Sequence, residues 1–428
     1  MKRLIRIYLL SCLGFLLFGC GISNYDRGQE FLAQEELKAA ADYFTAATEE
    51  NVGADEAHRE LGITYYRGRF FPQAVTHLQI ASETLKDERT ALYQGMALEQ
   101  NQKYEQAIGA YEEFSVLNDS PEIGYQIRAR LAHLRNQHLI QSAKQAIQAE
   151  SQIDLTTIPE DKVAVYYFEL LSGRDDLVPL QKAISTLVIS DLEKVRGISV
   201  LPRLQLQRML DQMRLQQDAV FNQETKNRVG RLLGVSNVCV GTIEGLADLD
   251  LRLSTSVVKV KAGDIDAVSV QQGAESDFFD LQKSMVLDIL DAVGVTLTER
   301  QKRVLNRRET ENLSALIAYG RGLSASDKSD FVAAEQYFKL SLKEDPTFQL
   351  ALRELDYVRL LAEAQEQSLT QIEELAMESA KSRAARQQRL NRMNQALSRQ
   401  FIPPTAADSP REGDIDPPKS EIQIVVKN

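Results

Sequence analysis

Cysteine and histidine are scarce in this chain of 428 residues. Cys12 and Cys20 lie in and at the end of an apolar N-terminal run, and Cys239 lies in a predicted strand. This placement excludes a disulfide framework and a cysteine-ligated metal cluster. The four histidines all lie in the first third of the chain. The later two thirds therefore lack the histidine that a catalytic triad or a histidine-ligated zinc site would need.

Positive charge is also in short supply. Lys and Arg number 50 against 61 Asp and Glu, which gives a net charge of −11. Affinity for nucleic acid comes largely from Lys and Arg side chains that neutralise phosphates, so nucleic acid is not expected as a partner.

The apolar run from Ile7 to Phe18 is short. As a helix it would extend roughly 18 Å, less than the ~30 Å hydrocarbon core of a bilayer.

Signatures of catalysis and cofactor binding are absent as well. The sequence contains no Walker loop, no G-x-G-x-x-G and no H-E-x-x-H motif. The adjacent acidic pair Asp175–Asp176 follows a predicted strand, and paired carboxylates can do acid–base chemistry or hold a hard cation. Such a pair is also common before a helix, where it complements the macrodipole, and this second interpretation is favoured. The sequence predicts no enzyme, no catalytic residue, no metal and no cofactor.

The N-terminus has the features of a lipoprotein signal. Three basic residues precede the apolar run, which ends in LFGC at Leu17–Cys20. These features predict a signal peptide over residues 1–19. The LFGC ending resembles a bacterial lipobox, in which the cysteine sulfur is lipidated and the chain is cleaved before it; an ordinary signal peptide is the alternative. The resemblance implies acyl chains such as palmitate on Cys20 and, because Gly21 follows, an outer-membrane anchor facing the periplasm.

A period of 33 to 34 residues follows the signal segment. It is visible in Gly28, Gly62 and Gly95, and again in an alanine twelve residues after each glycine. Small residues at these intervals let two helices cross closely, and large residues fill the space between units. The pattern resembles the tetratricopeptide repeat (TPR) and predicts three repeats over residues 20–120, with a capping helix over 121–150.

TPR arrays bind extended segments or helices in a concave groove that the first helix of each unit lines. Partners of this chain are therefore expected to be proteins or peptides. By register, the residues on that inner face are Arg59, Tyr66, Arg89 and Met96. The alternative for each of them is a solvent-facing or packing role.

A fourth repeat-like unit is predicted over residues 312–350. Gly322, Ala334 and Phe338 have the spacing of the repeat pattern. Because a non-repeating domain separates this unit from the other three, we expect it to pack on that domain and not to extend the array.

The non-repeating domain begins near Asp161, where the helical period stops. Lys162–Glu169 and Ile198–Arg203 are predicted strands, and three more form a meander between Asn237 and Gln272, with helices between and after them. The order βαβααβββα predicts a mixed sheet with helices on one face, an α/β sandwich.

This domain resembles the curli-production assembly component (CsgG-like) family. The resemblance rests on VAVYYF, KAISTLVISDLEKVRGISVLPR and RLLGVSNVCVGTIEG, and it covers Lys162–Val295. It implies a role in secretion or assembly at the outer membrane, where the curli component forms an oligomeric pore from additional hairpins. All of Val238–Asp280 is assigned to strands and turns of the predicted sheet. No residues are left for membrane-spanning hairpins, so a pore is not expected.

The C-terminal part is predicted to be a long helix followed by a disordered tail. Acidic residues crowd the first half of the helix and basic residues the second, over residues 381–392. The basic stretch is interpreted either as a site for an anionic partner or, preferably, as a solvated helix surface. Weak coiled-coil seams leave self-association open. The tail is rich in proline, aspartate and serine.

The fold class that follows is α+β and multidomain: an α-helical TPR solenoid, a mixed-sheet α/β sandwich, a TPR-like hairpin and a long helix. The predicted segments are 1–19 (signal peptide), 20–120 (three TPRs), 121–150 (capping helix), 160–300 (CsgG-like domain), 312–350 (fourth unit), 351–400 (long helix) and 401–428 (tail).

The function expected from the sequence is that of a lipid-anchored periplasmic scaffold at the outer membrane. It would bind protein partners through its repeats, in assembly or secretion of an envelope structure. A regulatory activator of a peptidoglycan synthase and a curli-type transport pore are the alternatives.

Overall fold

The computed structural model describes residues 22–50, 53–118, 120–171, 174–215, 223–246, 250–261 and 265–400. The predicted signal peptide, Cys20 and the tail 401–428 lie outside the described residues. The chain divides into two compact units, one up to Leu369 and one from Thr370.

The first unit begins with three helical hairpins. Short caps start several of the helices: the Ser23 hydroxyl accepts from the Asp26 N–H, and the Asp87 carboxylate accepts from the Thr90 N–H. The six helices are α1 (Asn24–Ala33), α2 (Leu37–Thr48), α3 (Ala54–Arg67), α4 (Phe71–Thr84), α5 (Glu88–Gln100) and α6 (Tyr104–Leu117).

Each hairpin is closed by a glycine that lies against a large side chain sixteen residues later. A Cβ on any of these glycines would approach its partner ring or side chain to between 2.6 and 2.9 Å, so only glycine allows the helices this close. The pairs are Gly28–Phe44, Gly62–Leu78 and Gly95–Tyr111. The turns repeat as well, since Glu35, Arg69 and Gln102 all have positive φ, between 57° and 63°.

Helix α7 (Pro121–Gln148) covers the third hairpin, as the sequence predicts, and also contacts the sheet domain. Its N-terminal Ile123 and Ile127 are buried. Farther along, the Asn136 side chain accepts a hydrogen bond from Arg208 Nε at 2.7 Å, and Ala143 joins a core beneath the sheet. One helix therefore closes the repeats and continues into the next part of the molecule.

Within the described residues, a six-stranded mixed sheet follows. Its elements, with the flanking helices, are β1 (Lys162–Val165), β2 (Glu169–Leu170), α8 (Leu180–Leu192), β3 (Ser199–Val200), α9 (Arg203–Gln212), α10 (Gln223–Leu232), β4 (Asn237–Gly245), β5 (Asp250–Lys259), β6 (Ile265–Ala274), α11 (Phe278–Ala292) and α12 (Glu299–Leu305). Strand β1 lies parallel to both β3 and β4, β2 pairs with β4, and β4, β5 and β6 form an antiparallel meander, giving the order β3-β1-β4-β5-β6. Strand β5 alternates buried and part-buried residues, as expected for a strand with one face on a core.

Helices cover both faces of this sheet, so the prediction of helices on one face is wrong. Val163 and Val165 of β1 belong to a core with α8 and α11. Between them Ala164, with the following Tyr166, belongs to a second core with α9, α10 and α7. The run VAVYYF is apolar throughout, which is typical of a strand buried on both faces.

The fourth hairpin, α13 (Leu313–Asp327) and α14 (Phe331–Glu344), repeats the geometry of the first three. A Cβ on Gly322 would lie 2.5 Å from the Phe338 ring, and Ser329 in the turn has a φ of 61°. Leu316, Tyr319 and Phe338 share one core with α8 and the sheet. The hairpin thus packs on the sheet domain, as predicted.

The predicted single helix over 351–400 is two helices, α15 (Gln349–Glu366) and α16 (Leu369–Gln400). Gln367, the residue after α15, is extended with ψ 135°. Because the stretch lacks proline and glycine, composition gave no sign of this break. Among the described residues, no helix combines the length and the apolar character that crossing a membrane requires.

Candidate protein-binding site

The first helices of the hairpins lie side by side along one face of the array. Helix α3 contacts both α1 and α5. Within the described residues, contacts of that extent do not join the second helices α2, α4 and α6 to one another. The first helices are therefore on the inner, concave side, and we call the surface of α1, α3 and α5 the inner face.

A buried carboxylate organises the inner face. Glu60 is fully buried and receives Arg89 in a two-pronged contact, with Nη1–Oε1 and Nη2–Oε2 distances of 2.7 and 2.8 Å. Arg59 Nε donates to the same Oε1 at 3.0 Å, and its Nη1 donates to Asp87 Oδ2 at 3.1 Å. Charge-assisted hydrogen bonds of this geometry are strong and directional. They hold the second and third repeats in one relative position.

The charges of this cluster balance, and contacts within it shift the pKa values of Asp87 and Arg59. Burial disfavours the charged form of Asp87, but hydrogen bonds from Thr90 and the charge of Arg59 outweigh it and lower the carboxyl pKa. Burial likewise opposes the charged Arg59, but Glu60 and Asp87 raise its pKa. Arg89 is the most accessible member, with 45% of its side chain exposed.

Tyr66 lies about two turns after Arg59 on α3 and belongs to an aromatic group. Its ring centroid lies 5.7 Å from that of Tyr93, edge to face, and 5.9 Å from that of Phe71. Arg67 Nη2 donates to the Tyr93 hydroxyl at 3.3 Å. Tyr66 is half-buried. Aromatic rings fixed in this way offer contact area at little cost in conformational entropy.

Met96 does not lie on the groove surface, contrary to the prediction. Its side chain is fully buried, and Leu92 and Tyr93 on the same helix are each only 2% exposed. Helix α5 contacts α3, α4 and α6. Periodicity assigns Met96 to one side of α5, but neighbours cover that side too.

Sequence reasoning missed a second buried ion pair. Glu99, 7% exposed, accepts from Arg130 Nε of α7 at 2.9 Å and from the Tyr111 hydroxyl at 3.1 Å. Arg89 follows Glu60 by 29 residues, and Arg130 follows Glu99 by 31. Opposite charges about one repeat apart were the available signal for both pairs.

Two histidines meet inside the second hairpin. The Nδ1 atoms of His58 and His77 are 3.0 Å apart, and the His77 ring also stacks on Tyr65 at 5.5 Å. Burial lowers the pKa of both imidazoles; Asp55 opposes this effect at His58, and His58 adds to it at His77. A hydrogen bond between two Nδ1 atoms needs one protonated and one unprotonated nitrogen, so the contact suits a neutral pair.

The remaining candidate residues lie elsewhere. Asp176 is bound by Arg174, whose Nη2 is 2.5 Å from Oδ2, and Arg174 also reaches Glu275 at 3.4 Å. Asp175 lies in the same short 3-10 turn. The basic stretch 381–392 lies on α16 of the second unit. Cys20 lies outside the described residues.

Comparison with known proteins identifies the repeats. Residues 25–82 match the tetratricopeptide repeat family model. These residues span the first two hairpins, so the TPR prediction is confirmed there by an independent match. No curated protein matches the chain.

Solved structures give distant likenesses. A TPR protein from Parabacteroides merdae is 13% identical, with 78% of this chain and 97% of that one covered and a TM-score of 0.24. The yeast Sti1 TPR2AB domain in complex with pHSP90 is 10% identical, with coverages of 80% and 97% and a TM-score of 0.24. The LpoB C-terminal domain from Salmonella enterica is 13% identical over 30% of this chain and 93% of that one, with a TM-score of 0.24. TM-scores this low support no inference about function.

Proposed function

We propose that this chain is a scaffold that binds a protein partner on the inner face of its TPRs. The observation that carries the proposal is the arrangement around Glu60: its buried carboxylate holds Arg59 and Arg89, and Tyr66 lies on the same helix as Arg59, about two turns farther along. Because these side chains are already ordered, a partner loses little free energy in fixing them. Arginine and tyrosine are also the residue types most enriched among energetically dominant interface positions.

The proposal extends to the location and the process. Cys20 would carry the lipid anchor, and the chain would face the periplasm from the outer membrane. The resemblance of residues 162–295 to the CsgG-like family supports assembly or secretion of an envelope structure as the process. In this proposal the mixed sheet domain and the TPRs act together, since α7 contacts both.

Site-specific photocrosslinking in cells tests the inner face. A photoreactive residue would replace Tyr66 in the full chain, and a matched control would place it at Gln73, which is exposed on the second helix α4. We expect a discrete protein adduct from position 66 that is absent from position 73. Arg89→Glu should reduce the adduct by at least about tenfold, since it reverses a charge at the interface. Equal adducts from both positions, or none from position 66, would contradict the proposal.

Identification of the adduct separates the alternatives. Secretion or surface-fibre components would support the assembly function, whereas a peptidoglycan synthase would replace it with the activator alternative. Discrete conductance of the purified full chain in planar bilayers would instead support a pore.

For the anchor, Cys20→Ala should abolish incorporation of labelled palmitate and release the chain from outer-membrane fractions. Unchanged incorporation would exclude Cys20 as the lipidated residue.

A further inference from the structure

The second unit contains one long helix with an unusual division of charge. Helix α16 has 32 residues and so extends about 48 Å. From Thr370 to Ser379 its ionisable residues are all acidic, and from Lys381 to Gln400 they are all basic. The helix macrodipole favours such an order only within the first and last turns, and these charges extend well beyond them.

Like charges are neighbours within each half. Glu374 and Glu378 are four residues apart, and Arg386, Arg389 and Arg392 follow one another at intervals of three. All five side chains are exposed. Like charges at these spacings destabilise an isolated helix. A partner of complementary charge would remove this cost.

Apolar side chains mark the face on which such a partner would pack. Leu390 and Met393 are 44% and 58% exposed, and Leu375 is half-buried. At 3.6 residues per turn, these three positions lie within about 60° of one another around the helix axis. The same side of the helix carries Ser382 and Arg386 between Leu375 and Leu390. We call Leu375, Leu390 and Met393 the α16 stripe.

Four of the charged residues lie along one flank of the α16 stripe. Glu374, Glu378, Arg389 and Arg392 fall within about 60° of one another, next to the stripe. In an antiparallel helix pair, equivalent flanks of two identical helices face each other. An alignment with Leu375 opposite Met393 of the second copy brings Glu374 within about 3 Å of the level of Arg392, and Glu378 within about 1.5 Å of the level of Arg389. A parallel pair would instead place the acidic halves together and the basic halves together.

We propose that α16 is a self-association element that pairs antiparallel with α16 of a second copy of this chain. The α16 stripe supplies the apolar contact, and two charge pairs on each side of the symmetry axis fix the direction. This inference is independent of the proposed partner binding at the TPRs.

Charge reversal in the full chain tests the proposal. Self-association would be measured by sedimentation equilibrium in density-matched detergent. Glu374→Lys/Glu378→Lys should weaken it by at least about tenfold, and so should Arg389→Glu/Arg392→Glu, because each makes the facing flanks alike in charge. The four changes combined should restore it. A monomeric parent chain, or reversal variants that associate as well as the parent, would overturn the proposal. Circular dichroism would confirm that α16 remains helical in each variant.

Disulfide crosslinking tests the direction. Two differently tagged preparations, Leu375→Cys and Met393→Cys, would be mixed and oxidised. The antiparallel pair predicts the mixed 375–393 disulfide, because like positions would lie roughly 27 Å apart along the axis. Predominant 375–375 and 393–393 disulfides would show a parallel pair and overturn the proposal.

Discussion

Arg203 of the sheet domain and Asp327 of the fourth hairpin form a buried ion pair, in which Arg203 Nη1 lies 2.9 Å from both carboxylate oxygens. Lys182 Nζ is 2.6 Å from Oδ2 of the same carboxylate. The side chains of Asp327 and Arg203 are 4% and 8% exposed. Burial disfavours the charged form of Asp327, but the two cations outweigh burial and lower its carboxyl pKa. The pairing joins two parts of the chain that are far apart in sequence.

Asp327→Asn should therefore destabilise the protein strongly. The substitution keeps the shape of the side chain but removes the charged carboxylate that buried Arg203 and part-buried Lys182 both contact. Breaking a buried pair in this way costs roughly 3–5 kcal/mol in the free energy of unfolding. Chemical denaturation of the full chain would measure it. Glu335→Gln on α14 is the control: this carboxylate pairs with Lys339 and Arg359 at the surface, and its loss should cost at most about 1 kcal/mol. Equal losses for the two variants would contradict the assigned role of Asp327.

Gly320→Ala should loosen the attachment of the fourth hairpin. A Cβ at this position would lie 2.0 Å from the Pro179 carbonyl oxygen, which is backbone and cannot rotate away. We expect a loss of about 1–3 kcal/mol or more in the free energy of unfolding. Gly109→Ala is the matched control, because a Cβ there would meet nothing within 4 Å in the interior of α6. That change should stabilise the protein by about 0.5–1 kcal/mol. The prediction fails if both substitutions have the same sign.

The His58–His77 contact should make the stability of the repeats depend on pH. Burial lowers both imidazole pKa values in the folded state, so the unfolded chain binds more protons as pH falls. The stabilisation is complete above the unfolded pKa of about 6.5 and is lost as pH falls through the interval down to the folded values. Thermal melts of the full chain between about pH 7.5 and 5 should show a falling midpoint, and His58→Gln/His77→Gln should flatten this dependence. An unchanged slope in the double variant would rule out the histidine pair as its source.

The repeats could be predicted from sequence because their contacts are local. Gly28 and Phe44, or Gly322 and Phe338, are sixteen residues apart and close each hairpin within itself. The fixed spacing between the glycine and the large residue can be recognised in the sequence, because it does not depend on how the rest of the chain folds. Arg59, Tyr66 and Arg89 were placed on the inner helices by the same interval, whereas the pairing of Arg89 with Glu60 depends on the packing between repeats.

Tertiary structure alone decided which surfaces are covered. Periodicity shows that one side of a helix or strand is apolar or polar, but it does not show what packs against it. Met96 is buried because α5 has neighbours on several sides, and β1 is buried on both faces because α9, α10 and α7 cover the face opposite α8 and α11. The pairing of Asp327 with Arg203 spans 124 residues of chain. Contacts of that separation depend on the folded arrangement of whole elements, so no local interval in the sequence records them.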